Sequence, residues 1–406
     1  MPSGALPTGK WRELGAQAFR DTLHRPQRAQ THLGKSAELR FNQVGGKPVF
    51  PNAGKGRVAM LERLIKTLGA IGKPTELYEC PDGTRVLVLP HGGRILGLFA
   101  PRCGENFYWT HPALASIETA RAFYDSGEWQ NSGGDRTWIS PEVDVFFPQF
   151  PNLQVYWQPR QLDPGDYKAD TTGDCLRLVN RLNLTLSRSK RQVQLEITKS
   201  VSPAPNPLRY ERQQVDVEYA GYALRTSLAL VGASKDSWVQ VGLWNLTQLP
   251  HGGDLFVPTY FSTEPKICMG TVAPEDLIIS DHLVRYRMRA RGEHKIGIRA
   301  VATAGRAGYL YAVNDQWVLV IRNYSVNPSG EYIDVPWTED GDLGYSTQAC
   351  NVNSALGAFS ELEYHSPAIG YGTGLTHCDD NSQVWAFRGP EDRIRFIARS
   401  LISPEI

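Results

Sequence analysis

From about residue 84 onward, apolar and polar positions tend to alternate with period 2, the mark of half-buried strands. In "RQVQLEITKSV", Val193, Leu195 and Ile197 fall on one side and Gln194, Glu196 and Thr198 on the other. Residues 176–201 read as a long hairpin, its turn carrying Arg188, Lys190 and Arg191 as a solvated tip. "YALRTSLALVGASKDSWVQVGLWNLTQLP" predicts a second hairpin turning at Gly232–Ser237, and "AGYLYAVNDQWVLVIRNYSV" a third turning at Asn314–Asp315. Shorter strands are expected at 84–90, 92–100, 105–112 ("ENFYWTHP") and within 354–370. Helical spacing is sparse. In "MLERLIKTLGAIGKP", Leu61, Leu64, Ile65 and Leu68 share one face, and Gly72 and Pro74 end the helix. A second helical interval spans about 113–124, and "SQVWAFRGPEDRIRFIARSLI" closes the chain as a strand and a short helix. Long antiparallel hairpins, few helices and no blade-like repeat predict an all-β fold of two large stacked sheets.

Residues 1–58 break this pattern. They hold ten Lys/Arg against three Asp/Glu with little periodic order, and read as a basic, partly mobile extension preceding a single domain over 59–406. The whole chain is balanced at a net charge of +1, so no nucleic-acid or membrane partner is expected. No apolar run approaches the roughly 18 residues of a spanning helix. The N-terminus shows no apolar signal core, and the six cysteines form no CxxC pair. Free thiols and a cytoplasmic location are the expectation, with no cofactor and no metal. "HCDD" (377–380) has ligand-type residues, but adjacency is poor geometry for one ion.

The densest candidate chemistry is "SGGDRTWISPEVDVFFP" (132–148). Two glycines allow a sharp turn or a close approach, and the run after Glu142 looks strand-like. Asp135, Arg136 and Trp138 are candidate substrate contacts, Arg136 through its planar fork. The alternative is a salt bridge from Arg136 to Asp135 or Glu142. Pro141 aims Glu142, the candidate second catalytic carboxylate. Glu361 and Glu363 stand two apart on a strand and share a face, so they lie on a wet surface or in a cleft with basic partners. His251, beside Gly252 and Gly253, is favoured over His111, His365 and His377 as an acid. Trp109 and Trp244 offer stacking surfaces, Asn245 and Gln248 amides, and Lys266 and Lys295 isolated charges whose presence in a cleft would favour an anionic sugar.

The ordered motifs "HGGRILGLF", "ENFYWTHP", "GGDRTWISPE", "LWNLTQLPHGG", "HKIGIRA" and "SELEYHSP" resemble a bacterial family of unknown function related to the galactose-mutarotase-like, or aldose-1-epimerase-like, group. The resemblance covers roughly residues 60–400. It implies a β-supersandwich with a sugar-binding cleft on one concave face. It also implies a glutamate base on a late strand, here Glu361 or Glu363, and a histidine acid from an earlier one, for which His251 and His365 are the candidates. Arg136 and Glu142 are not part of the mutarotase pattern. The combined expectation is a carbohydrate-active enzyme doing acid/base work on a sugar ring, a mutarotase- or epimerase-type isomerase. A glycoside hydrolase with paired carboxylates and a non-catalytic sugar-binding protein are the alternatives.

Overall fold

The computed structural model describes residues 60–406 except Arg102, Gly173, 212–215, 233–238 and 335–341, so the expected basic extension lies outside the described residues. Among these residues the strands form two ten-stranded sheets, every pairing antiparallel. The first runs β1 (Glu76–Glu79), β2 (Arg85–Leu89), β3 (Arg94–Phe99), β4 (Asp135–Ser140), β9 (Gln240–Pro250), β18 (Gly357–His365), β17 (Tyr345–Ser354), β14 (Gly292–Arg299) and β11 (Lys266–Met269), with β19 (Ile369–Gly370) on β9. The second runs β12 (Leu277–Ile279), β13 (Leu283–Arg287), β10 (Asp254–Pro258), β15 (Arg306–Val313), β16 (Gln316–Tyr324), β20 (His377–Gly389), β8 (Glu218–Leu230), β7 (Gln192–Pro203), β6 (Cys175–Thr185) and β5 (Lys168–Thr172). The helices are α1 (Met60–Ala70), α2 (Ile117–Asp125), α3 (Glu142–Val145) and α4 (Glu391–Leu401). No helix among the described residues is long and apolar enough to cross a membrane.

Alternation explains the second sheet. Val193, Leu195, Ile197 and Val201 of β7 are buried while Gln192 and Gln194 are exposed, so one face packs inward and the other meets solvent. Those inward residues share a single core cluster with Ile139, Leu243, Ala349 and Leu362 of the first sheet. The central strands of the first sheet are buried at almost every position. Its outer face is therefore covered as well. Over β2 and β3 the cover is α1 and α2, with Leu61, Leu64 and Leu68 against Leu87, Leu89, Leu96 and Phe99. Ile65 is 36% exposed and lies off the packed stripe expected for it.

Three local expectations are corrected. The segment 222–250 is not a hairpin: β8 belongs to the second sheet and β9 to the first, so the chain crosses between layers there. β8 alternates and β9 is buried on both faces, which suits each to a different layer. "ENFYWTHP" forms only one bridge, Thr110 to Gly133; its amides bond instead to Leu98, Gln248 and Ser132. "DRTWIS" is itself the strand β4, and the residues after Pro141 coil into α3. The glycine pair serves backbone contact. Gly133 and Gly134 have φ of +97° and +75°, and a Cβ on either would sit 2.3 Å from a carbonyl oxygen, of Trp109 or Ile95.

Candidate functional site

Five adjacent strands, β4, β9, β18, β17 and β14, put alternate side chains on the outer face of the first sheet. Register fixes the neighbours. Arg136 stands opposite Leu246 and Trp138 opposite Trp244. Gln248 stands opposite Glu361, and Trp244 opposite His365. Cys350 lies across from Glu361, Gln348 across from Glu363, and Lys295 across from Cys350. Directly opposed residues of an antiparallel pair share a face, so these side chains form one grid.

Glu361 is held at Oε1, which accepts from Arg136 Nη2 at 2.8 Å and Gln248 Nε2 at 3.0 Å. The Arg136 guanidinium carbon lies 4.1 Å from the Trp138 ring centre and 5.4 Å from that of Trp129. Both indoles donate Nε1–H to Asp163 Oδ2, at 3.0 and 3.1 Å, and Arg94 donates to the same oxygen at 2.9 Å. Asp163 thus fixes the two rings, the rings flank Arg136, and Arg136 orients Glu361.

Glu363 sits deeper, 1% exposed against 7% for Glu361. Its Oε2 accepts from Trp244 Nε1 at 2.7 Å and Lys295 Nζ at 3.1 Å, and its Oε1 is buried without a partner. Burial pushes its carboxyl up to about 7, with Lys295 pulling down and Glu361 adding to the rise. Burial alone would lower the Lys295 ammonium, but Glu363, Glu142 and Asp334 outweigh it and hold it well above its ordinary value. That ammonium also lies 4.3 Å from the centre of the Trp244 ring.

Glu142 closes the site from α3. Its backbone N–H donates to Asp334 Oδ1 at 2.7 Å, and Gln348 Nε2 donates to Asp334 Oδ2 at 3.2 Å. Burial raises the Glu142 carboxyl, Lys295 opposes, and a hydrogen bond from Tyr156 holds it in place. Tyr156 is 40% exposed and stacks on Phe146, so this wall faces solvent. Trp109 is half-buried against Phe359 at the other end, the one expected stacking indole not sealed into the protein.

The structure brings together Arg136, Trp138, Glu142, Trp244, Gln248, Lys295, Glu361 and Glu363. Trp109 borders this group, and Asp135, Asn245, His251, His111 and His377 lie elsewhere. Asp135, expected as a substrate contact, alternates to the opposite face and pairs with Arg322 between the sheets, so the alternative salt bridge to Arg136 does not form either. Asn245 also points inward, accepting from Thr137 at 2.7 Å. His251 bonds Asn351 at 3.0 Å, and Asn351 faces away from the grid position of its neighbour Cys350. His111 accepts from Ala113 N–H as a helix cap, and His377 lies on β20 of the second sheet. His365 does reach the site face, stacked on Trp244 with both ring nitrogens unpartnered; burial lowers it to about 4, so it is a neutral imidazole.

Cys350 Sγ and carboxylate oxygens of Glu361 and Glu363 lie within 4.8 Å of one another, a spacing one ion could span. Arg136 and Lys295 already supply positive charge to both carboxylates, and burial followed by those carboxylates keeps Cys350 a thiol. The donor set fits an internal ammonium better than a divalent ion.

The family of unknown function DUF6786 matches residues 72–406. The chain belongs to this family. No curated protein matches it. Among solved structures, the galactose mutarotase related enzyme from Lactobacillus acidophilus is 9% identical with a TM-score of 0.42, over 76% of this chain and 96% of that one. Galactose 1-epimerase from Lactobacillus acidophilus NCFM is 10% identical with a TM-score of 0.35, over 78% and 95%. In this DUF6786 chain all the grid residues fall inside the matched span.

Sequence reasoning missed Trp129, Asp163, Asp334, Gln348 and Cys350. Gln348 and Cys350 alternate in "STQACNV", but only register with Glu361 and Glu363 places them in the site. Asp163 and Asp334 come from loops with no local motif.

Glu363 gives a pH test. Its folded-state pKa, about 7, lies above the ordinary 4.5, so the folded protein binds the extra proton. This contribution is fully present below about pH 4.5 and is lost as pH rises through about 7. Each pH unit across that window removes on the order of 1 kcal/mol of it. Wild-type stability minus that of Glu363→Gln, from urea midpoints at pH 5 to 8, is expected to fall and level off near 7. A difference independent of pH would mean that the carboxyl titrates normally.

Proposed function

We propose that this chain is a carbohydrate-active enzyme doing acid/base work on a sugar ring, a mutarotase- or epimerase-type isomerase. One observation carries the proposal. Glu361 is oriented by Arg136 and Gln248, while burial raises the neighbouring carboxyls Glu363 and Glu142. Carboxyls in contrasting environments are what paired acid and base roles require. Glu361 takes the proton of the anomeric hydroxyl. Glu142 gives a proton to the ring oxygen as the bond from the anomeric carbon to that oxygen breaks. Reclosure on the other face of the carbonyl returns both protons and yields the other anomer. His251 is held by Asn351 and drops out as the acid. Trp109 is the stacking surface for the sugar's C–H face.

The test is proton NMR of the protein with freshly dissolved free sugars and simple glycosides, following anomer exchange and bond cleavage together. Faster exchange with glycosides intact is the expected result. New reducing ends would replace the isomerase with a hydrolase, and line broadening of one sugar without turnover would leave a binding protein.

A further inference from the structure

Tyr156 stands on the site wall with its ring outside and its hydroxyl inside. The residue is 40% exposed, yet the hydroxyl is buried on Glu142, within the fields of Arg136 and Glu361. The segment that carries it leaves α3 and folds back on the end of that helix. Trp157 N–H donates to the Phe146 carbonyl at 2.8 Å. The Tyr156 ring lies 5.6 Å from that of Phe146, 11° from parallel, and 5.1 Å from that of Phe147 at 73°. Glu142 opens α3 and Phe146 caps it, so the acid and the phenol share one rigid frame. Burial of the hydroxyl, with Glu142 beside it, pushes the phenol well above its ordinary range, so it stays protonated and donates. A protonated carboxyl has one O–H and one oxygen that only accepts. A donating phenol takes the accepting oxygen, which leaves the Glu142 proton on the other.

We propose that Tyr156 is a positioning residue for the acid: its hydroxyl fixes which Glu142 oxygen carries the proton and turns that oxygen toward the ring oxygen of the sugar. This rests on the isomerase reading above and deepens it. The bond also strengthens as the proton leaves, because an ionised acceptor makes the stronger hydrogen bond. It therefore counts for more after transfer than before, which is what lowers a barrier. The proton passes from Glu142 to the ring oxygen and returns on reclosure, while Tyr156 keeps its own throughout.

Tyr156→Phe keeps the ring on Phe146 and deletes the hydroxyl. Two quantities are followed against pH in wild type and variant. One is the rate of anomer exchange. The other is the titration of the Glu142 carboxyl without sugar, from the carboxyl infrared bands of each protein minus those of its Glu142→Gln counterpart. Lys295, Asp334, Glu361 and Cys268 also face Glu142, and the substitution leaves them in place. Donation by the phenol favours the ionised carboxyl, so its loss is expected to move the titration, and with it the alkaline limb of kcat, to higher pH. The kcat plateau is expected to fall at least about tenfold, the scale of one hydrogen bond to a charged group, with KM within about threefold and the melting temperature unchanged. A role in packing alone would leave the limb where it is. A Tyr156→Phe protein as fast as wild type, or one whose limb and titration stay in place, overturns the positioning role and leaves the isomerase reading standing. Wild type that exchanges no sugar overturns the isomerase reading, and the positioning role with it.

Discussion

Arg322→Met is expected to be among the most destabilising single substitutions in the chain, costing about 3–5 kcal/mol as the partner of a buried ion pair is removed. Arg322 and Asp135 are 1% and 0% exposed, and they join the two sheets. Arg322 Nη1 donates to Asp135 and to Thr247 at 3.0 Å; Nη2 donates to Tyr364 at 3.2 Å and Ser382 at 3.0 Å. Asp135 also accepts from Tyr222, whose hydroxyl meets that of Tyr108 at 2.8 Å. Tyr364 in turn donates to Asp380 at 2.6 Å. Removing the guanidinium strands Asp135 as an unpaired charge where water does not reach. Asp135→Leu combined with Arg322→Met removes both charges, so the double variant is expected to lose less than the sum of the singles. Urea unfolding of wild type, both singles and the double measures this as a coupling energy. Additive losses below about 1 kcal/mol each would show that the sheets do not depend on this pair.

The same pair shows what the chain's sequence conceals. Asp135 and Arg136 are adjacent, and adjacency suggests a common site wall. On a strand, neighbours point to opposite faces, so one residue locks the core and the other orients Glu361. The strand "DRTWIS" is hidden by the run after it, because an apolar stretch such as "VDVFF" reads as strand or buried helix alike. Strands with one wet face, such as β6 and β7, are legible from alternation alone. Strands covered on both faces lose that alternation, and the hairpin expected across 222–250 fails where the chain passes from one kind to the other. Local spacing does recover Glu361 and Glu363 as a same-face pair needing basic partners. It cannot name those partners, because Arg136 and Lys295 lie 225 and 68 positions away and are brought in only by strand order. Histidine misleads for a related reason. A histidine beside a glycine turn resembles a site residue, but whether its ring faces cleft or core depends on what it bonds, and His251 bonds Asn351.

Glu361→Gln is expected to lower the rate of anomer exchange by about 10²–10⁴-fold while sugar binding stays within a few-fold of wild type, the loss proper to a general base. The amide is close in shape and keeps an oxygen for the Arg136 and Gln248 bonds, so geometry and melting temperature change little. What disappears is the capacity to take a proton. Glu142→Gln should give a comparable fall by removing the proton donor at the ring oxygen, and combining the two should cost far less than the product of the singles, because one concerted transfer needs both. Arg136→Lys is the intermediate case. It keeps the charge but loses the planar fork that lies along Trp138 and reaches Glu361, so the carboxylate is charged but misaimed, and the loss should appear in kcat more than in KM. His251→Ala is expected to leave exchange within about threefold, since its ring is committed to Asn351. Loss of exchange in His251→Ala with activity retained in Glu361→Gln would move the acid/base pair off the outer face of the first sheet and sink the assignment made from the Arg136–Glu361 contact.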